Sequence, residues 1–294
     1  MVAGASKRRR ATTVSKPNRK RAGNLISLIG LILGALLLLY PIVATLATNE
    51  QLRRQADAYS EHTTSLSAEE RDAQLARARD YNQRLLATGP HARPPATNDP
   101  DMPDYMAQLN LPGSGGIMAR IRIPDIGVDL PVYHTTAPHV LYDGAGHMFG
   151  STLPVGGDGT NAVITAHTGM VNAAMFDALP TLKAGQDIYI DVMGQRLRYQ
   201  MVSREVVKPD QYQAVGYQPG EDRLTLITCT PYGLNTDRLL VHAIRVPLDP
   251  DAPEPRVTGL GISWWMILVA LIVLVVLLLI LYRRWKRRRD AVEE

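Results

Sequence analysis

The chain has 294 residues, 32 Lys plus Arg against 28 Asp plus Glu, a formal charge of +4 and one cysteine. That length admits one or two domains, and a lone cysteine excludes an intramolecular disulfide framework. The basic residues gather beside two long apolar runs, so the positive balance reports membrane topology and gives no support to nucleic-acid binding.

Residues 1–24 carry eight basic residues and no acid, which predicts a cytoplasmic tail. Residues 25–47 are 23 residues without charge, more than the roughly 20 that cross a bilayer core. A cleaved signal peptide is the alternative, but its apolar region runs only about 7 to 15 residues, so an uncleaved anchor is expected. A second uncharged run, residues 262–282, opens with Trp264 and Trp265 where an interfacial aromatic belt belongs. Six basic residues follow it in the tail 283–294. The positive-inside rule then puts both termini in the cytoplasm and residues 48–261 outside. The tails hold 14 of the 32 basic residues and 3 of the 28 acidic ones, which leaves the external part at 18 against 25, a net of −7.

Within the external part, residues 48–94 are polar and helix-favouring. Ser67-Ala68-Glu69-Glu70 matches a capping box, with Leu66 placed as a staple. Leu75, Ala78, Asn82, Leu85 and Leu86 form a narrow stripe, which predicts one or two helices lying against a larger body, a charged stalk being the alternative. Residues 95–115 are rich in Pro and Gly, contain Asp99-Pro100-Asp101, and are expected to form a loop with one short helix near 104–109. From residue 116 the texture changes to short strands divided by turns: 117–123, 128–133, 161–166, 187–192, 196–209, 223–229 and 238–245. Such spacing predicts a mainly β antiparallel barrel or sandwich over 116–247, with 173–179 its only helix. Residues 248–261, with their prolines, read as a stiff linker back to the membrane.

Cys229 ends the alternating run that begins at Arg223, and Thr230-Pro231-Tyr232-Gly233 breaks it. A lone cysteine is ordinarily a small buried hydrophobe. This one is followed by a loop and by a strand starting at Arg238, which antiparallel pairing would set beside the thiol in the electropositive, partly exposed surroundings of a reactive cysteine. His167 likewise follows a strand and precedes a turn, although a histidine at a turn is more often structural. His134, His139, His147 and His242 lack any setting that suggests catalysis. A thiol, an imidazole and a guanidinium at strand ends suit nucleophilic acyl transfer: Cys229 as nucleophile, His167 as proton carrier, Arg238 as holder of the oxyanion.

Thr225-Leu226-Ile227-Thr228-Cys229 with Arg238 nine residues on, and Ile164-Thr165-Ala166-His167-Thr168-Gly169 upstream, resemble the sortase signature. With Leu130-Pro131-Val132-Tyr133-His134, Gly144-Ala145-Gly146-His147, Cys229-Thr230-Pro231-Tyr232-Gly233 and the second apolar run, the resemblance is to class C, the pilin-polymerising sortases of Gram-positive bacteria. It implies an eight-stranded sortase β-barrel with N-terminal helices and a lid loop, flanked by two transmembrane helices. It also implies cleavage of a Leu-Pro-x-Thr-Gly-like (LPxTG-like) sorting signal after Thr and transfer to an amine, most often a pilin lysine, without metal or organic cofactor. Class C lids carry Asp-Pro-aromatic; Asp99, Pro100 and Asp101 are the matching lid residues here, with Asp101 in place of the ring. After His167 the family often has Arg-Gly where this chain has Thr168-Gly169.

Other readings are a housekeeping sortase that anchors proteins to the cell wall, an extracellular cysteine peptidase that uses water, and a non-catalytic adhesin. Papain-like folds place the cysteine at a helix start and before the histidine, the reverse of the order here.

Overall fold

A computed structural model describes residues 19–89, 92, 99–249, 254–257 and 263–290, with backbone alone for 19–28, 287, 288 and 290. The chain divides into two compact units, residues 1–40 with 273–294, and residues 41–272.

In the larger unit eight strands close into a barrel in the order β1-β2-β3-β4-β7-β8-β6-β5. They are β1 (Ile117–Ile123), β2 (Val128–His134), β3 (Ala145–His147), β4 (Asn161–Thr165), β5 (Asp187–Val192), β6 (Gln195–Val207), β7 (Arg223–Thr230) and β8 (Asp237–Val246). Most neighbours are antiparallel, but β2 with β3 and β4 with β7 run parallel. Ile121, Ile123, Ile164, Ile188, Ile190, Leu224, Leu226 and Val241 fill the interior with essentially no exposure. These β-branched and aliphatic residues fit a pleated, buried surface.

Two long helices and a short one precede the barrel. The first, α1 (Arg19–Ser65), runs unbroken through Pro41, and its N-terminal part from Ile29 is long and apolar enough to cross a membrane. Its C-terminal part buries Leu52, Ala56, Tyr59 and Thr63, a spacing of about one helical turn that lines up one face. Tyr59 fastens that face to the barrel: its hydroxyl donates to the Met118 carbonyl at 2.7 Å and accepts from the Met193 N–H at 3.3 Å. The second, α2 (Ala68–Thr88), starts at the expected capping box, with Ser67 accepting from the Glu70 N–H and the Glu70 carboxylate accepting from the Ser67 N–H. Leu75, Ala78, Tyr81 and Asn82 are buried, so α2 and the C-terminal part of α1 lie against the barrel and neither is a charged stalk. Asn82 answers both peptide groups of buried Leu153, donating to its carbonyl at 3.1 Å and accepting from its N–H at 2.7 Å.

The remaining helices are α3 (Met102–Ala107), α4 (Pro138–Asp143) and α5 (Trp264–Asp290), the last also apolar enough to span a membrane. Two expectations need correction. Residues 173–179 are turns ending in a short 3-10 segment at Leu179–Thr181, not a helix. Met175 there has φ +40, the left-handed region that interrupts a right-handed helix. The strand β3 and helix α4 had no counterpart in the sequence pattern.

The short helix α3 is held from below by a buried polar cluster. Tyr105, fully buried, meets His147 Nδ1 at 3.0 Å, donates to the His147 carbonyl at 3.1 Å and accepts from the Thr135 N–H at 3.1 Å. His147 Nε2 lies 2.9 Å from the Thr152 carbonyl and 3.1 Å from Ser151 Oγ, and His134 Nε2 lies 2.8 Å from the Gln108 carbonyl. Burial pushes the His147 imidazole down to about 4 and lowers His134 as well. Between pH 6.5 and 4 the unfolded chain therefore binds protons that folded His147 refuses. Stability is unaffected above 6.5 and falls as pH drops towards 4, by on the order of 3 kcal/mol for His147. Thermal midpoints of the full chain in detergent are expected to fall steadily across that window. A flat profile would show that this cluster takes up its proton without cost.

Candidate active site

Cys229 and His167 come together because β4 and β7 run parallel. Thr165 pairs with Ile227, so two residues further along, His167 just past the end of β4 and Cys229 still within β7 stand at the same level, on neighbouring strands about 5 Å apart. The Ala166 N–H continues that pairing to the Ile227 carbonyl at 3.1 Å, and the Thr228 hydroxyl donates to the Ala166 carbonyl at 2.9 Å. On the other side β8 runs antiparallel to β7, with Cys229 directly opposite Arg238. Residues opposite one another in an antiparallel pair share a face, which puts the guanidinium beside the thiol. Cys229 is half-buried. Arg238 is braced by the carbonyls of Asp237 at 3.0 Å and Asn235 at 3.3 Å.

All three line one cleft of about 280 Å³. Its walls are mostly apolar, with Leu141, Met148, Val207, Tyr212, Val215, Ile227 and Leu240, and Thr136 and Lys208 stand among them. Partial burial holds the His167 imidazole below its ordinary range, so the ring is neutral at pH 7. Tyr142, an exposed residue of α4, sets its ring edge against that imidazole with centroids 5.5 Å apart. A neutral imidazole, a thiol and a fixed cation on one cleft provide a proton carrier, a nucleophile and an oxyanion holder.

The lid residues lie elsewhere. Asp99 is buried, its carboxylate accepts from the Asp101 N–H at 3.2 Å and its carbonyl accepts from the Met102 N–H at 3.2 Å, a turn that leads into α3. Asp101 faces a different cavity, with Tyr81, Arg84 and Phe149. Asp99, Pro100 and Asp101 are thus not brought to Cys229, and residues 95–98 of the expected lid lie outside the described residues. Outside the expected lid, Ala92, between α2 and α3, is buried in one apolar cluster with Met148, Val215, Ile227 and Leu240 of the cleft wall. A methyl suits that apolar wall where carboxylates do not. The sequence carried no mark for Ala92 or Tyr142, whose placement follows from the packing of loops, whereas Met148 directly follows the Gly144–His147 stretch that carries the resemblance.

Residues 121–246 match the family model described as "Sortase domain". Among relatives, a sortase A of Streptococcus agalactiae serotype III is 31% identical over 137 residues, covering 46% of this chain and 53% of that protein, so the chain spans about half the length of that curated relative. Among solved structures, a lid mutant of sortase A from Corynebacterium diphtheriae is 43% identical with a TM-score of 0.59, covering 64% of this chain and 99% of that one. Sortase C-1 from Actinomyces oris is 41% identical with a TM-score of 0.56, covering 60% and 99%. With the closed eight-stranded barrel and the Cys, His and Arg gathered at one end of it, these likenesses show that the chain belongs to the sortase family.

Proposed function

We propose that the protein is a membrane-anchored cysteine transpeptidase that cleaves an LPxTG-like sorting signal after Thr and joins the Thr to an amine, most often a pilin lysine. The observation that carries this reading is the convergence of Cys229, His167 and Arg238 on one cleft. In the first half-reaction the Cys229 sulfur attacks the Thr carbonyl carbon while its proton passes to His167. Arg238 faces the oxygen that becomes negative. Collapse breaks the Thr–Gly bond, His167 returns the proton to the departing amine, and a Thr thioester remains on Cys229. In the second, the acceptor amine attacks the thioester, gives a proton through His167, and releases the thiol. The apolar wall of Met148, Val215, Ile227 and Leu240 suits the Leu and Pro of such a signal.

Class C sortases among the structural neighbours support the pilin assignment. The two apolar helices support anchoring through residues 25–47 and 262–282, with basic tails 1–24 and 283–294 in the cytoplasm, helices 48–94, the barrel 116–247 and the linker 248–261 outside.

The test is incubation of the full chain in detergent with an LPxTG-like peptide and an excess of a lysine-bearing peptide. Mass spectrometry is expected to find a Thr thioester on Cys229 and a product carrying a Thr-to-lysine isopeptide bond. Hydrolysed peptide alone would transfer the assignment to a peptidase. Transfer to a cell-wall peptide amine in preference to lysine would transfer it to the housekeeping class.

A further inference from the structure

One carboxylate outside the catalytic trio gathers the loops that carry two of its members. Oδ1 of Asp177 accepts from the Thr168 hydroxyl at 3.0 Å and from the Gly169 N–H at 2.8 Å, the two residues that follow His167. Oδ2 accepts from the Ser263 hydroxyl at 2.8 Å and from the Tyr232 hydroxyl at 3.4 Å. Tyr232 lies three residues past Cys229, and Ser263 immediately precedes α5. At the same corner the exposed Trp264 sets its ring edge-on to Tyr232, with centroids 6.1 Å apart. From the other side α1 fastens the His167 loop twice. The Thr45 hydroxyl donates to the Val171 carbonyl at 3.2 Å, and the Asn49 side-chain oxygen accepts from the Ala174 N–H at 3.0 Å.

The loop 168–178 needs such fastening, since it has neither helix nor strand and two of its residues, Gly169 at φ +76 and Met175 at φ +40, are left-handed. A carboxylate is an acceptor with about four lone-pair sites, and here four donors from three separate segments meet it. Bonds to an ionised acceptor are the stronger kind. A shift of about 1 Å in a reacting group costs on the order of a hundredfold in rate, so a tether one residue from His167 and three from Cys229 bears on the chemistry.

We infer that Asp177 is a positioning residue for His167 and Cys229, and that the first residues of α5, through Ser263 and Trp264, complete the same bracket. The turnover of the enzyme then depends on how the start of its second apolar helix is seated. This rests on the reading of Cys229 and His167 as the reacting groups.

The test compares wild type, Asp177→Ala, Asp177→Asn, Ser263→Ala, Asp177→Ala with Ser263→Ala, and Cys229→Ala, all as full chains in dodecyl maltoside. Two quantities are read: kcat and KM with an LPxTG-like peptide and a lysine-bearing acceptor, and the pH profile of iodoacetamide modification of Cys229, which needs no substrate and has a single thiol to report. Asn keeps an acceptor for Thr168 and Gly169 and turns an amide N–H towards the two hydroxyl oxygens. Asp177→Ala is expected to lower kcat by about tenfold or more with KM within about threefold, and to move the alkylation profile by about half a pH unit, while Asp177→Asn stays within about threefold of wild type. Ser263→Ala is expected to lower kcat by a smaller factor and to add nothing on top of Asp177→Ala. Wild-type kcat in Asp177→Ala would overturn the proposal. So would equal losses in Asn and Ala with an unmoved alkylation profile, the mark of a purely structural residue. If instead Cys229→Ala retains turnover, the catalytic reading itself fails, whatever the Asp177 variants do.

Discussion

In Cys229→Ala, thioester formation and amine transfer are expected to fall below detection while the barrel folds as before. The thiol is half-buried at the end of β7 and takes no part in the core, so its removal leaves only a small gap. The other groups that line the cleft are poorer nucleophiles: Thr136, Thr165 and Tyr212 offer hydroxyls without a base built to activate them, and the Lys208 ammonium is paired with Asp237. Cys229→Ser separates chemistry from binding, because it should bind sorting-signal peptide with unchanged affinity and turn it over at a rate at or near zero. Turnover in Cys229→Ala above about a thousandth of wild type would remove the thioester from the mechanism. Stopped-flow cleavage of a quenched peptide measures both variants.

Arg238→Ala is expected to lower kcat by two to three decades, about 3–4 kcal/mol in the barrier, as for other losses of a single oxyanion donor. KM should change far less, because the guanidinium meets charge that exists only once the thiol has attacked. Arg238→Lys restores the charge but not the planar fork, and a four-carbon stem cannot use the same two backbone carbonyls in the same way, so it should recover only part of the loss. His167→Ala should fall by a similar factor through loss of the proton carrier. An Arg238→Ala enzyme within about threefold of wild type would assign the oxyanion to backbone donors of the Cys229 or His167 loops.

What the sequence made legible was whatever rests on local pattern. The pairing of Cys229 with Arg238 followed from alternation and one turn, and the Ser67 capping box from four consecutive residues. Both apolar helices declared themselves by length. The strand β3 did not, because Ala145-Gly146-His147 is too short to show a period. Its middle residue is small for a tertiary reason: a side chain on Gly146 would collide with the Thr135 carbonyl and Leu141. Residues 173–179 misled for the opposite reason, since Ala and Met favour a helix locally while Asp177 and the left-handed Met175 bind the segment into turns. For the lid, the family pattern pointed at Asp99-Pro100-Asp101, whereas among the described residues between α2 and α3 it is Ala92, which no motif marks, that shares an apolar cluster with the cleft wall.

The closure of the barrel bears on how an extended peptide can be held at all. Many proteins that take up an unfolded segment do so by letting it join a sheet as one more strand, drawing affinity from the main chain whatever the side chains are. Here every strand already has a neighbour on each side, from β1 through β5 and back to β1. Apart from strand ends such as that of β6 beyond Met201, which pairs with β8 alone, an arriving polypeptide finds no ladder left open along the described strands. Discrimination must come from side-chain fit in the hollow between the β6–β7 connection and α4, so a change at Tyr212, Val215 or Leu141 would be felt as altered choice of sequence more than as altered grip.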